Sequence, residues 1–263
     1  MISRLLRSYV RLVCEDAMKT EDAASEGLAL FSLDEDDDKK LILYDPVSFS
    51  DVIYSLVYFK NHREPGQKYS DDEADNTIVG YINYGPYYGL GEAYGSDVVH
   101  LTAARKDGGY GPIMYDLAME DSGMLMPDRR LVSSFAEKIW NYYFYKRDDV
   151  KKKKLDNVHK PETETKVDDA EVFSDVKEDP VSGETVYTRE REPLNYVYQP
   201  KRKSPGLNEL KDEHEHTMKR MRTKFKIDQS EIEKILVGLA GHFFDKRYED
   251  YLRTLDLDTE DEK

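Results

Sequence analysis

The chain has 263 residues, and its 39 Lys and Arg stand against 54 Asp and Glu for a net charge of -15. That length suits one core of about 100 to 150 residues with appended segments, and excludes a small disulfide scaffold or a repeat array. With 35% charged residues much of the chain must stay wet, while 20 tyrosines beside 9 phenylalanines favour a half-buried sheet whose rings are covered and whose hydroxyls find partners.

The lone cysteine, Cys14, cannot form an internal disulfide, and no Cys/His spacing resembles a zinc site. The expectation is a reducing, cytoplasmic setting with no structural metal. No apolar run approaches the roughly 18 to 20 residues that span a bilayer. Residues 1–18 carry Arg4, Arg7 and Arg11, so neither a membrane anchor nor a secretory signal is expected in them. Net acidity disfavours nucleic acid as a partner unless Lys and Arg gather locally.

In chain order, Ile2, Leu5, Leu6, Tyr9, Val10, Leu12 and Val13 recur at helical spacing with arginines on another face. This amphipathic helix would dock on the domain or bind a partner. The acidic run at 34–38 reads as a solvated loop, so 1–40 is an N-terminal helix and acidic loop. Residues 41–44 form a short strand stopped by Asp45-Pro46. Residues 47–60, with Phe49, Val52, Ile53 and Leu56, form a helix, and 61–76 a polar loop. Residues 77–84 and 97–103 are strands rich in β-branched and aromatic residues, with a further strand considered at 87–94.

The most informative stretch is Lys106-Asp107-Gly108-Gly109-Tyr110-Gly111-Pro112, which leads from a strand into a helix at 113–120. Proline suits the first helical position, and the glycines let backbone amides converge at a helix N-terminus, an arrangement that cradles a phosphate. The same glycines also suit a plain tight turn. Residues 123–127 read as a short strand, and Ser133 or Ser134 caps a helix through Phe135, Ile139, Trp140, Tyr143 and Phe144.

This succession resembles the GNAT superfamily of N-acetyltransferases. The family's acyl-CoA loop, Gln/Arg-x-x-Gly-x-Gly/Ala, aligns with 106–111, with lysine in the first position. Its following Ala-x-x-Leu-Tyr helix aligns with Ala136 to Trp140, so Trp140 stands where many members carry a general-acid tyrosine. An indole N–H donates a hydrogen bond but does not readily give its proton to a leaving thiolate. Finer matches at 109–116, 127–129, 140–143, 194–198 and 241–244 resemble GNAT-like proteins of large tailed bacteriophages.

The resemblance implies an α/β fold, a GNAT-like mixed sheet flanked by helices over 41–150. It implies an acetyl-CoA or other acyl-CoA ligand and an amine acceptor, either a small molecule or a protein. Gly109, Tyr110 and Gly111 would face the pyrophosphate, Arg105 or Lys106 would neutralise it, and the strand carrying Val99 and Leu101 would pair with the pantetheine arm. Candidate bases are Glu92 and His100, and candidate acids Tyr142 and Tyr143. The alternative is a catalytically inactive GNAT-like interaction or virion protein. The setting implied is the infected bacterial cytoplasm, or the virion.

Residues 151–205 read as a polar linker or excursion, with Lys151 to Lys154 a solvated helix end. Residues 206–263 form a C-terminal helical segment with an acidic tail. Its helix at 209–226 is almost wholly polar, and His214 and His216, two apart, make a poor metal pair. A second helix, 229–252, carries Ile232, Leu236, Leu239 and Phe243 on one face, to pack on the domain, on a protein partner or on a second copy of the chain.

Overall fold

The structure, a computed structural model of the chain, describes residues 18–62 and 71–260 apart from 36, 107, 173, 179–184 and 191. The expected helix at 2–17 lies outside the described residues.

A short helix α1 (Thr20–Ser25) precedes the hairpin β1 (Ala29–Glu35) and β2 (Asp38–Tyr44). Glu35 pairs with Asp38 and Asp34 with Lys39. The acidic run is therefore a tight hairpin end and not a loose loop; charge alone hid the strand beside it, Leu30 and Phe31 included. Helices α2 (Pro46–His62) and α3 (Asp71–Thr77) lead to β3 (Ile78–Pro86), and a 3-10 turn at Ala93–Gly95, in place of the extra strand considered there, leads to β4 (Asp97–Ala104). Helix α4 (Tyr110–Ser122), strand β5 (Leu125–Met126), helix α5 (Ser134–Lys146) and strand β6 (Val150–Lys154) follow.

An excursion then carries β7 (Asp156–Asn157), β8 (Asp169–Ala170), β9 (Ser174–Glu178) and β10 (Thr185–Glu190) before β11 (Tyr196–Pro200) returns to the main sheet. Two helices, α6 (Pro205–Phe225) and α7 (Gln229–Glu260), complete the chain. The central sheet has seven strands in the order β1-β2-β3-β4-β5-β11-β6. Neighbours are antiparallel except β4 and β5, which are parallel.

The sheet therefore runs past the expected boundary at 150. Lys151 to Lys154 are an edge strand and not a helix end, and consecutive lysines on an edge oppose pairing with another chain. Only 155–195 behaves as an excursion. It docks on the loop before β4: the Tyr94 amide donates to the Val167 carbonyl at 2.6 Å and the Tyr94 hydroxyl to the Lys154 carbonyl at 3.0 Å.

Both faces of the sheet are covered. On the first, α4 is buried from Pro112 to Met119 and packs with Trp140 and Tyr143 of α5 against Leu41, Leu43, Val79, Ile82 and Tyr198. Gly80 on β3 permits this approach, because a Cβ there would strike Met114 Sδ. On the second, Phe49 and Ile53 of α2 and Ile232, Leu236, Leu239 and Phe243 of α7 cover Phe31, Ile42, Tyr44 and Ile78. Each such α7 side chain gains about 1.5 to 3 kcal/mol by burial. Of the alternatives expected for that apolar face, the domain, a protein partner or a second copy, it is the chain's own sheet that covers it. Helix α6 runs past β1 and serves both layers, giving Leu207 and Leu210 to the first core and Met218 and Met221 to the second.

No helix among the described residues is long and apolar enough to cross a membrane.

Candidate functional site

Strands β4 and β5 meet only at Asp97 with Leu125 and Val98 with Met126. Strand β5 ends at Met126, so among the described residues Val99 to Ala104 meet no strand on that side. A strand flank of this kind offers main-chain donors and acceptors to an extended ligand. Three apolar side chains are exposed on β4 and on the segment after β5: Leu101 (44%) on β4, Leu131 (81%) between β5 and α5, and Phe135 (55%) in the first turn of α5.

The glycine turn closes the far end of β4. The Arg105 amide still donates to the Val79 carbonyl, at 2.9 Å, so the ladder with β3 runs to the end of the strand. Gly108 and Gly109 then take φ of 84° and 67°, which side-chain-bearing residues rarely adopt. Gly109 is the N-cap of α4, so the helix starts two residues before the sequence suggested and Pro112 is its third residue. The first amides of a helix are those that the helix itself leaves for other acceptors, and its dipole adds positive potential there.

Around this turn, Lys106 Nζ lies 3.2 Å from Asp250 Oδ2 of α7, and the Tyr110 hydroxyl lies 3.5 Å from Glu26 Oε2. The Met18 amide meets the Gly109 carbonyl at 3.4 Å. Lys106 therefore arrives already paired, on a largely exposed side chain. Gly111 has φ outside the left-handed region, and a Cβ there would sit 3.6 Å from Ile139 Cδ1, an ordinary contact.

Beneath β4, α4 carries several groups that sequence reasoning missed. The Tyr115 hydroxyl is buried beside Thr102 of β4 with no hydrogen bond of good geometry, and burial pushes its pKa up. Asp116 is reached by the Tyr143 hydroxyl at 2.6 Å and by Arg147 Nη1 at 3.0 Å. Burial raises the Asp116 carboxyl despite that cation. Burial also opposes the Arg147 charge, but its pairing with Asp149 (2.7 Å) and Asp116 outweighs this and keeps it protonated. One turn on, Lys211, Lys39 and the Tyr84 hydroxyl converge on Asp121 at 2.6, 3.4 and 2.7 Å. Burial lifts the neighbouring Glu120 to about 7, although its carboxylate accepts the Ser204 amide at 3.2 Å. Carboxylates at 116, 120 and 121 within an apolar helix were the available signal.

The expected proton-transfer residues are not brought together. Glu92 is exposed in the loop before the 3-10 turn, a strand length of about 26 Å from the glycine turn. The His100 imidazole lies 3.5 Å from Asp38 Oδ1. Tyr142 is half-buried, its ring 5.8 Å from the Arg147 guanidinium. Tyr143 is in the core with its proton directed at Asp116, and burial raises its pKa well above the usual tyrosine range. Trp140 is also core, edge-on to Tyr115 and tilted against Tyr143 and Tyr198. Of the expected binding residues, Val99 is buried under α4 and Leu101 is exposed, whereas Arg105 to Gly111 do gather at one turn.

The fold and site together describe an α/β protein with a seven-stranded mixed sheet whose one parallel junction is two residue pairs long, beside a glycine-capped helix. No protein-family model, no curated protein and no solved structure matches the chain.

Proposed function

We propose that the chain binds an acyl-CoA between β4 and β5 and serves as a GNAT-type N-acyltransferase with an amine acceptor. The observation that carries the reading is the single parallel junction, two residue pairs long, with the left-handed Gly109 and the start of α4 at the end of the same strand.

A bound acyl-CoA would supply a thioester whose carbonyl carbon an amine attacks. The chain's part is to position it: first-turn amides at Gly109 to Gly111 take a phosphate, and the free flank at Val99 to Ala104 takes an extended amide-bearing arm. Lys106 would exchange Asp250 for phosphate oxygen. His100 is the base candidate on β4 itself, and Tyr142 the acid candidate left outside the core of α5. A phage origin, with a host-cytoplasm or virion setting, rests on the sequence resemblance alone.

One observation favours the inactive interaction protein as second reading. Trp140 and Tyr143 are both core residues, so α5 offers no acid at the aligned position.

Calorimetric titration of acetyl-CoA separates a working loop from a relic. We expect binding in the wild type and a loss of roughly tenfold to a hundredfold in Gly109→Val, because valine resists the left-handed φ of 67° that sets the first-turn amides and its branched Cβ would stand where phosphate oxygens approach. A thermal melt of the variant is the control for a purely structural glycine. No binding by wild type up to millimolar ligand, or unchanged binding by the variant, removes the acyl-CoA reading.

A further inference from the structure

On a chain of net charge -15, residues 218–226 carry Lys219, Arg220, Arg222, Lys224 and Lys226 and no acid, and all five cations are exposed. Three of them, Lys219, Arg222 and Lys226, line an open groove of roughly 990 Å³ with Met218 and Ile227 at the end of α6. Favourable interaction with the helix dipole explains cations in the last turn, but not Lys219, nearly two turns earlier.

The groove continues into aromatic surface. Phe225 lies on the same helix face, with Lys224 Nζ 4.9 Å from its ring centre. Its ring meets Tyr54 of α2 at 6.3 Å, and Tyr54 stacks on Tyr58 at 6.5 Å and 19°. Tyr54 and Tyr58 are 57% and 49% exposed. Two stacked tyrosines left wet beside a cationic groove forgo burial that the neighbouring Phe49 and Ile53 obtain. The acids in the lining are Glu215 and Asp228, of which Asp228 already accepts the Ser230 amide at 2.7 Å, and Glu233 beside them accepts from Gln229 at 2.8 Å. His214, also in the lining, lies 3.0 Å from the Tyr44 hydroxyl and adds no charge.

We infer that this α6–α2 surface docks single-stranded nucleic acid, with phosphates along Lys219, Arg222 and Lys226 and bases against Tyr54, Tyr58 and Phe225. The charge complementarity is local and sequence-tolerant: cations take the backbone, and every base has a face for stacking. It reverses the expectation from net charge. The surface is separate from the acyl-CoA opening, because Arg222 meets Gln229 at 3.3 Å while Lys106 meets Asp250, positions about 31 Å apart along α7.

The test is fluorescence anisotropy of the full chain with labelled oligo-dT and oligo-U of about 15 nucleotides, with heparin as a base-free polyanion. We expect binding tighter than about 100 μM at low salt, with log K falling against log salt at a slope of about -2 for three phosphates. Lys219→Glu/Arg222→Glu/Lys226→Glu should abolish it, and Tyr54→Ala/Tyr58→Ala should weaken it about tenfold while leaving heparin unaffected. A preference between the two oligonucleotides assigns DNA or RNA. Thermal melts should match wild type, since the substituted side chains are exposed. Absence of binding, or binding that both variants retain, overturns the inference. So does equal capture of heparin with no effect of the tyrosines, which would make the groove a site for any polyanion, acidic peptides included. Saturating acetyl-CoA should not compete.

Discussion

The two flanks of β4 are held by different means. Toward β3 a ladder runs from Gly80 with Ala104 to Pro86 with Asp97. Toward β5 there are two residue pairs, and the β5-β11-β6 part is tied on by side chains instead. Arg147 joins α5 to α4 through Asp116, and Arg129 after β5 reaches the Leu194 carbonyl and, at 3.5 Å, Asn195 Oδ1 before β11. Burial lowers Arg129 to about 10, with the Tyr87 and Asp128 charges opposing it. A ladder fixes every main-chain group, whereas side-chain ties leave the strand flank open. The sheet is therefore continuous on the β3 side of β4 and short on the β5 side, where the proposed ligand would lie.

Breaking the ties should cost most. Arg147→Ala leaves Asp116 buried without its cation and should destabilise by about 3 to 5 kcal/mol in urea unfolding. A loss below about 1 kcal/mol would show that the pair does not hold the second part of the sheet. Tyr115→Phe removes the orphaned hydroxyl and should stabilise by about 1 kcal/mol, because an unsatisfied buried donor is costly. A decrease instead would mean that the hydroxyl is bonded to Thr102 in solution.

The smallest effect is pH-dependent. Glu120 ionises near 4.5 when unfolded and near 7 when folded. Its contribution is thus intact below 4.5 and lost as pH rises to 7, since the unfolded state releases its proton first. His214 works the other way: burial lowers it from 6.5 to about 4, so its contribution is lost as pH falls through that window. The two slopes oppose each other. Glu120→Gln, which can still accept the Ser204 amide, should therefore gain about 1 kcal/mol over wild type between pH 5 and pH 8, discounted for the half-exposed carboxylate. A constant offset across that range would mean that Glu120 does not titrate with folding.

The meander and the helices around it were legible because apolar periodicity marks them: 41–44, 47–60, 77–84, 97–103 and 229–252 all correspond to observed elements. Ser133 was legible as a cap, and its hydroxyl accepts the Ala136 amide at 3.2 Å. The run Lys151 to Lys154 was not, because edge-strand lysines look like any solvated charge run, and β11 was concealed by the polar excursion before it. The glycine turn was legible as a tight turn into a helix N-terminus, but the pairing of Lys106 with Asp250 joins residues 144 apart and leaves no local trace. Tyr143 read as an acid for the same reason, since only the fold places Asp116 and Pro112 against its hydroxyl.

Amide hydrogen exchange with and without acetyl-CoA tests the opening most directly. If β4 lends its free flank and α4 its first turn to the ligand, exchange should slow at Val99 to Ala104 and Gly109 to Ile113, and stay unchanged in β1, β2 and β3. Unchanged exchange over both segments at millimolar acetyl-CoA, or protection confined to other parts of the chain, would contradict the assignment of the β4–β5 junction as the ligand site.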